Sequence, residues 1–364
     1  MGKHTAIEIK IYSENPDTLY KYRIPEGAKI QEKHVERLKS LGINDIYIKR
    51  EKTKELNDFI NDKNLNEVQD EAVEELKQIK SSLQNNRKID FDKVQSVISK
   101  IITVVEETQV STAYTALKSH DDYTAKHSFD VCRLSIEFTM QNRAFVRDVH
   151  SRETGATKTF TMKNELQDLG LTGLLHDIGK WKVDEDILKK ADKLNDEEWK
   201  QMEEHPAIAK EIMDTVNDIT PSVKRGILDH HEKFNGDGYP LGKEQYESHL
   251  YGRIVSLCDV YSALTSNRAY KVGVSPKRAR SIMKDMQEEN HFDPEFFDRF
   301  MNFMPPYPIG QEVTLSNGAS GVVKDYDDKN PSEPEVKVLY HGNEKLDDPE
   351  VIQANTSSNP SIIS

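Results

Sequence analysis

Cysteine is nearly absent: Cys132 and Cys258 are the two in 364 residues. That count excludes a disulfide-framed fold, and the pair lacks the spacing of a structural zinc site. Both read as buried packing residues in a reducing compartment. Long apolar runs are missing too. No stretch approaches the roughly 20 residues that a membrane-spanning helix needs. The opening MGKHTAIEIKIYSE lacks the apolar stretch of a secretory signal. The expectation is a cytoplasmic protein with no membrane partner. A surplus of positive charge is also missing, since the formal net charge is −13. Such a balance disfavours a nucleic-acid polymer as partner, but a small anionic ligand can still bind where metals or a few basic residues gather. What is present is length and polarity, with 36% hydrophobic and 31% charged residues. The chain suffices for two or three domains and a sizeable main core.

Alternation in TAIEIKIY (5–12) predicts a strand, with YKYRIP (20–25) as its partner. IQEKHVERLKSLG (30–42) predicts a short amphipathic helix closed by Gly42, and NDIYIK (44–49) a further strand. Residues 1–60 thus read as a small α/β module, for sensing a ligand or meeting a signalling partner. Residues 52–64 are polar and linker-like. Leu65, Val68, Ala72, Leu76, Ile79 and Leu83 then recur at helical spacing, as do Val94, Val97, Ile101, Val104 and Val105. Residues 61–117 therefore read as a helical linker or hairpin, packed either on the next domain or on a second copy in a homodimer. From 118 to 308 the pattern is mainly helical, with 141–163 expected as an inserted loop or hairpin. Residues 309–364 read as a β-rich extension with an Asn317-Gly318 hairpin signal and a loose Ser/Asn-rich tail. The fold class is mainly α: a helical bundle with a small N-terminal α/β module and a small C-terminal β appendage.

Chemistry-bearing residues cluster in the helical part. LLHDIGK (174–180) holds His176, Asp177 and Lys180. HHEKFNGDGYP (230–240) holds His230 and His231 before a glycine-rich turn. His127 lies in AKHSFD, His205 in EEHPAI, and Asp259 on an otherwise apolar helix in SLCDVYS. Any one histidine is more often a satisfied core or surface residue than a ligand. Several on separate helices, with carboxylates, can converge where bundles commonly build metal sites. Neutral imidazole with carboxylate suits iron, manganese, zinc and similar ions, whereas an all-oxygen set would favour magnesium or calcium. Two such ions about 3.5–4 Å apart can hold a bridging water and orient it for in-line attack on phosphorus.

The order HD…GK, then HHE…GxGYP, then DVYSALTSNRAYK (259–271), resembles the HD-GYP branch of the HD phosphohydrolase superfamily over residues 118 to 305. The resemblance implies an HD-type helical catalytic domain. It also implies a cyclic dinucleotide phosphodiesterase that opens cyclic di-GMP to linear pGpG, and further to GMP, by attack of a metal-bridging hydroxide. Some members prefer the mixed GMP–AMP cyclic dinucleotide, and a non-catalytic receptor is the other reading. Carried over by motif, His127, His176, Asp177 and Asp259 would hold one divalent ion, iron or manganese. Asp177 would bridge to a second, completed by His205, His230 and His231. Lys180 would reach the phosphate or the hydroxide, Tyr239 would contact substrate, and Arg268 and Lys271 would neutralise phosphate. Gly236 and Gly238 would permit the sharp loop that presents Tyr239, because glycine accepts positive φ. Two departures stand out. Ser262 replaces a frequent aspartate. Tyr123 occupies the position of a glutamate that supports a third ion, so two ions are expected rather than three.

Overall fold

The computed structural model describes residues 4–5, 9–12, 20–24, 28–40, 48–49, 63–108, 123–154, 161–188, 190, 192–266, 273–327 and 330–363. At the N-terminal end are β1 (His4–Thr5), β2 (Ile9–Tyr12), β3 (Tyr20–Ile24), α1 (Glu32–Ser40) and β4 (Ile48–Lys49). β2 pairs antiparallel with β3, as the alternation predicts, and β1 pairs with β4. Most of the expected linker lies outside the described residues.

The two helical runs form α2 (Lys63–Gln84) and α3 (Phe91–Thr108). Their apolar stripes are spent inside the chain. Leu65, Ala72, Leu76, Val94 and Ile101 share one core with Phe129, Leu166, Leu174, Ile178 and Val223 from the helices that follow. Of the two packing arrangements open to this hairpin, the intramolecular one is realised.

α4 (Tyr123–Gln141) is the axis of the bundle. Residues 125–139 are buried on every side. One face, with Phe129, Cys132 and Ile136, joins the first core. The other, with Val131, Leu134 and Phe138, joins a second core built on Tyr251, Ile254, Phe296 and Phe300. Two buried charges on α4, Arg133 and Glu137, pair with each other across one helical turn at 2.5 Å. Both cysteines are free and buried, as expected.

The expected loop or hairpin at 141–163 is instead largely α5 (Arg143–Thr154). Phe145, Val146 and Val149 make a narrow apolar stripe at helical spacing, and Val146 and Val149 are buried in the second core. Outward charges at Arg143, Arg147, Asp148 and Arg152 mask that stripe in the sequence, and the polar SRETGATKT run obscures its end. Residues 155–160 lie outside the described set.

α6 (Met162–Leu175) follows, capped by Thr161 Oγ1, which accepts from Asn164 N–H. After the 3₁₀ turn Ile178–Lys182 come α7 (Glu185–Leu188), α8 (Asp196–Glu203), α9 (His205–Asp214) and α10 (Pro221–Asp229). Asn195 and Glu198 form a reciprocal capping box on α8. α11 (Leu250–Thr265) packs against α4, α6 and α10. α12 (Pro276–Glu288) starts at the expected Ser275 cap and Pro276, and α13 (Pro294–Phe303) closes the bundle. Among the described residues no helix is long and apolar enough to cross a membrane.

β5 (Glu312–Thr314), β6 (Ala319–Asp325), β7 (Glu335–His341), β8 (Glu344–Lys345) and β9 (Val351–Gln353) form one antiparallel sheet. The Asn317-Gly318 turn joins β5 to β6. The tail, expected to be loose, folds back onto this sheet. Ile362 is buried in its core, its N–H donates to Asn355 Oδ1 at 2.7 Å, and Ile363 N–H donates to Thr314 O at 2.9 Å. Ser and Asn here make turn bonds, and one isoleucine supplies the anchor.

Ile362→Ala is expected to destabilise the sheet by about 2–5 kcal/mol. Hydrogen exchange at the β5 amides would register the loss, and unchanged protection would show the tail to be idle.

Candidate metal centre

Five helices deliver the nominated ligands to one place. His127 sits in the second turn of α4. His176 and Asp177 follow α6 directly, and His205 opens α9. His230 and His231 follow α10, and Asp259 lies on α11. Their ligand atoms fall into three overlapping sets, each with atoms within 4.8 Å of one another: Asp177, His205, His230 and His231; His127, His176 and Asp177; and His176, His230 and Asp259. Asp177 belongs to two of them. Its Oδ1 lies 3.3 Å from His205 Nε2 and 4.0 Å from His230 Nε2, while Oδ2 lies 3.4 Å from His176 Nε2. His127 Nε2 is 2.8 Å from Asp259 Oδ1, and His231 Nδ1 is 3.9 Å from Asp259 Oδ2.

The proton positions follow from the backbone. His176, His205 and His230 each place Nδ1 against the carbonyl three residues earlier: Gly173 O at 2.8 Å, Met202 O at 2.7 Å and Ile227 O at 2.6 Å. A carbonyl only accepts, so each Nδ1 carries the proton, and in the neutral ring Nε2 is left as a lone pair. His205 Nε2 and His230 Nε2 then face each other at 3.3 Å with no proton between them. His176 Nε2 and Asp177 Oδ1 are buried and make no hydrogen bond. Converging acceptors without donors are costly in a buried site unless a cation satisfies them. The donor set, imidazole nitrogen and carboxylate oxygen, is that of a divalent transition-metal site.

Electrostatics agree. Burial pushes His230 well below its usual range, helped by the neighbouring His231, His176 and His205. Burial likewise lowers His205 and His127, and takes His231 to about 3. Burial alone would raise Asp177, but the charges of His176 and Lys180 hold it well below the carboxylate range. Asp259 is held down against burial by the hydrogen bond from His127 and by that ring's charge. His176 runs the other way. Burial lowers it, yet the charge of the adjacent Asp177 outweighs burial and raises its pKa.

Two further nominated residues border the cluster. Lys180, in the 3₁₀ turn, donates Nζ to Asp177 Oδ2 at 2.7 Å and remains part-exposed. The Tyr239 ring lies over His231 with centroids 4.6 Å apart, and burial raises its phenol pKa. The glycine expectation is half right. Gly236 has φ +83°, whereas Gly238 is needed for close approach: a Cβ there would lie 2.3 Å from Lys233 N and 2.5 Å from Glu232 Cα. Arg268 and Lys271 lie outside the described residues. Tyr123 opens α4, but its side chain is not described.

Sequence reasoning passed over the residues that fix the loop. Glu232, buried, accepts Leu241 N–H at 2.8 Å on one oxygen and Lys243 N–H at 2.9 Å on the other. Asp229, also buried, takes Lys243 Nζ at 2.6 Å and His249 N–H at 2.8 Å. These carboxylates flank His230 and His231, so the segment that carries Tyr239 is tied to the end of α10. Their adjacency to the histidine pair was the available signal.

A family model described as an HD domain matches residues 139–296, a span that holds every nominated ligand except His127. A cyclic di-GMP phosphodiesterase of Pseudomonas aeruginosa is 35% identical over 236 residues, covering 65% of this chain and 52% of its own length. A cyclic di-GMP phosphodiesterase of Vibrio cholerae is 38% identical over 134 residues, covering 35% of this chain and 27% of its own. A 3'3'-cGAMP-specific phosphodiesterase of the same organism is 34% identical over 135 residues, covering 36% and 29%. The chain thus spans about half the length of the first of these relatives and under a third of the other two. Among solved structures, a HDG"Y"P protein from Bdellovibrio bacteriovorus has a similar fold, with TM-score 0.53, 17% identity, and coverage of 82% of this chain and 95% of that one.

Two outcomes follow from this geometry. Glu232→Ala should leave bound metal near the wild-type amount yet cut amide protection at Leu241 and Lys243 by about 10- to 100-fold, because each N–H loses an acceptor worth about 1–3 kcal/mol. Chelator-treated protein should lose stability as pH falls below 6.5, the ordinary histidine value. Above that pH these rings are neutral both folded and unfolded. Below it the unfolded chain takes up protons that His205, His230 and His231 refuse, at about 1.4 kcal/mol per pH unit for each such ring. The loss continues to about pH 3 for His231. The raised His176 offsets part of it. Urea denaturation at pH 7.5 and 5 measures the net slope, and equal stability at both would contradict it.

Proposed function

We propose that this chain, in which residues 139–296 match an HD-domain model, is an HD-GYP phosphodiesterase that hydrolyses cyclic di-GMP to linear pGpG, and onward to GMP. The observation that carries the proposal is the pair of overlapping His/Asp sets sharing Asp177 and bordered by Lys180 and Tyr239. We assign the catalytic unit to residues 118–308. The substrate is an intracellular messenger, so the proposed place of action is the cytoplasm.

Two divalent ions, iron or manganese, fit the donors. His205, His230 and His231 would hold one, His127, His176 and Asp259 the other, with Asp177 between them. Ions bound there would lower the pKa of a water molecule, aim it at phosphorus and offset phosphate charge. The protein's own groups do the rest. Asp177 stays ionised in spite of burial because Lys180 and His176 stand against it. Lys180, part-exposed, can lean from Asp177 toward a phosphoryl oxygen as negative charge develops there. The raised pKa of Tyr239 keeps its phenol protonated and able to donate to a phosphate oxygen. Arg268 and Lys271 are proposed to neutralise the phosphates.

Protein loaded with Mn²⁺, or anaerobically with Fe²⁺, should convert cyclic di-GMP to pGpG as the first product by chromatography. Asp177→Ala should abolish turnover, and Lys180→Met should cut kcat by about 10²-fold with little change in KM. Tyr239→Phe should lower kcat/KM by about tenfold, the worth of one hydrogen bond. Metal-loaded protein that binds the dinucleotide without cleaving it would make the chain a receptor instead. A much larger kcat/KM for the mixed GMP–AMP dinucleotide would reassign the substrate.

A further inference from the structure

Glu203 and Trp199 border the site without a task in it. α8 runs into α9 through Glu204 alone, so Glu203 ends one helix two residues before His205 opens the next. This corner lies between Lys180 and Tyr239. On one side the 3₁₀ turn of Lys180 packs against it so closely that a Cβ on Gly179 would run into His205 O. On the other side the Tyr239 ring lies 6.3 Å from the His205 ring, centroid to centroid. The Glu203 charge reaches that ring: burial raises the Tyr239 phenol pKa, and the charges of Asp259, Asp177 and Glu203 add to the rise.

Glu203 is half-buried and belongs to none of the three ligand sets. Among the described residues its carboxylate makes no hydrogen bond or ion pair, whereas Glu198 on the same helix holds Lys190 and the helix cap. Trp199 lies four residues earlier, on the same face of α8 and about 6 Å along its axis. Its ring is 49% exposed and stacks on no other ring among the described residues.

An unpaired carboxylate beside a phosphate site works against the pull of Lys180 and of bound cations, because its charge repels phosphate. It favours a substrate only where it meets a part that carries donors alone. The Watson–Crick edge of guanine is such a part: N1–H and N2–H lie side by side and match the two oxygens of a carboxylate. Adenine instead presents a lone pair at N1, which a carboxylate repels. An exposed indole one turn away supplies a face on which the base can stack.

We propose that Glu203 and Trp199 form a guanine subsite for the cyclic dinucleotide, with Glu203 accepting N1–H and N2–H and the Trp199 ring stacking on the base. The proposal deepens the reading of the cluster as a cyclic dinucleotide phosphodiesterase and rests on it. Both residues determine specificity and neither touches the reacting atoms. Seating one guanine on α8 also fixes which phosphodiester is presented between Lys180 and Tyr239.

Full-length Mn²⁺-loaded protein tests this with cyclic di-GMP, cyclic di-AMP, the mixed GMP–AMP dinucleotide and bis(p-nitrophenyl) phosphate, a diester that has no base. Wild type should prefer cyclic di-GMP to cyclic di-AMP in kcat/KM by at least about tenfold. Glu203→Gln should lower kcat/KM for cyclic di-GMP by about 10- to 100-fold, as for loss of a hydrogen bond to a charged group, and leave the base-free diester unchanged. Trp199→Ala should weaken both symmetric dinucleotides by about 10- to 100-fold, because stacking tolerates either base, and Trp199→Tyr should restore most of the loss. From the mixed dinucleotide, wild type should release one of the two linear isomers in excess, and Glu203→Gln should level them. An unchanged guanine-to-adenine preference in Glu203→Gln, or an equal fall on the base-free diester, would overturn the subsite. A wild-type protein that cleaves none of the four diesters would overturn the phosphodiesterase reading itself.

Discussion

His205 Nε2 and His230 Nε2 face each other across 3.3 Å, and neither ring has a proton left to put between them. Backbone carbonyls hold those protons on the far side of each ring. Asp177 Oδ1, 3.3 Å from His205 and without a hydrogen bond, adds another acceptor to the same buried volume. This shortage of donors is the constraint that the packed helices around the site have to hold in place. Burial keeps the histidines from making up the shortage by protonation, since their pKa values are driven down. Asp177 in turn stays ionised because Lys180 and His176 stabilise it.

Such an arrangement holds only on a rigid support. α4 supplies one by burying two opposite faces in two separate cores, so that His127 cannot withdraw toward water. α6 and α10 end at the site, and their final turns set the His176 and His230 rings through the i−3 carbonyls. The same end of α10 anchors the loop that carries Tyr239, through Asp229 and Glu232. The His230–His231 pair and the loop that carries Tyr239 are thereby fixed by one helix terminus. His127 Nδ1 lies 3.0 Å from a side-chain hydroxyl, that of Ser262.

Much of this was legible beforehand. The stripes of α2 and α3, the Ser275-Pro276 start of α12 and the Asn317-Gly318 turn are local signals, governed by periodicity, capping and turn chemistry, and they read correctly. α5 was obscured because three apolar residues, Phe145, Val146 and Val149, make a weak stripe beside so many charges. The tail was misjudged because composition reports the polarity of Ser and Asn, whereas Ile362 decides where the segment rests. Glu232 and Asp229 were overlooked because their partners, Leu241, Lys243 and His249, are brought to them by the folding of a loop that composition does not describe.

The sequence by itself determined which residue types were on hand and in what order: imidazoles and carboxylates on successive helices, then a glycine-rich turn ending in Gly-Tyr-Pro. Those are properties of the chain, set by covalent order. Only the tertiary structure decided where each proton lies. A histidine's tautomer depends on whether its second nitrogen meets a carbonyl, a carboxylate or a hydroxyl, and the Ser262 hydroxyl and Asp259 carboxylate that meet His127 lie more than 130 positions away on α11. Packing alone brings them together, which is why His127 and His205 look alike in the sequence and differ in the fold.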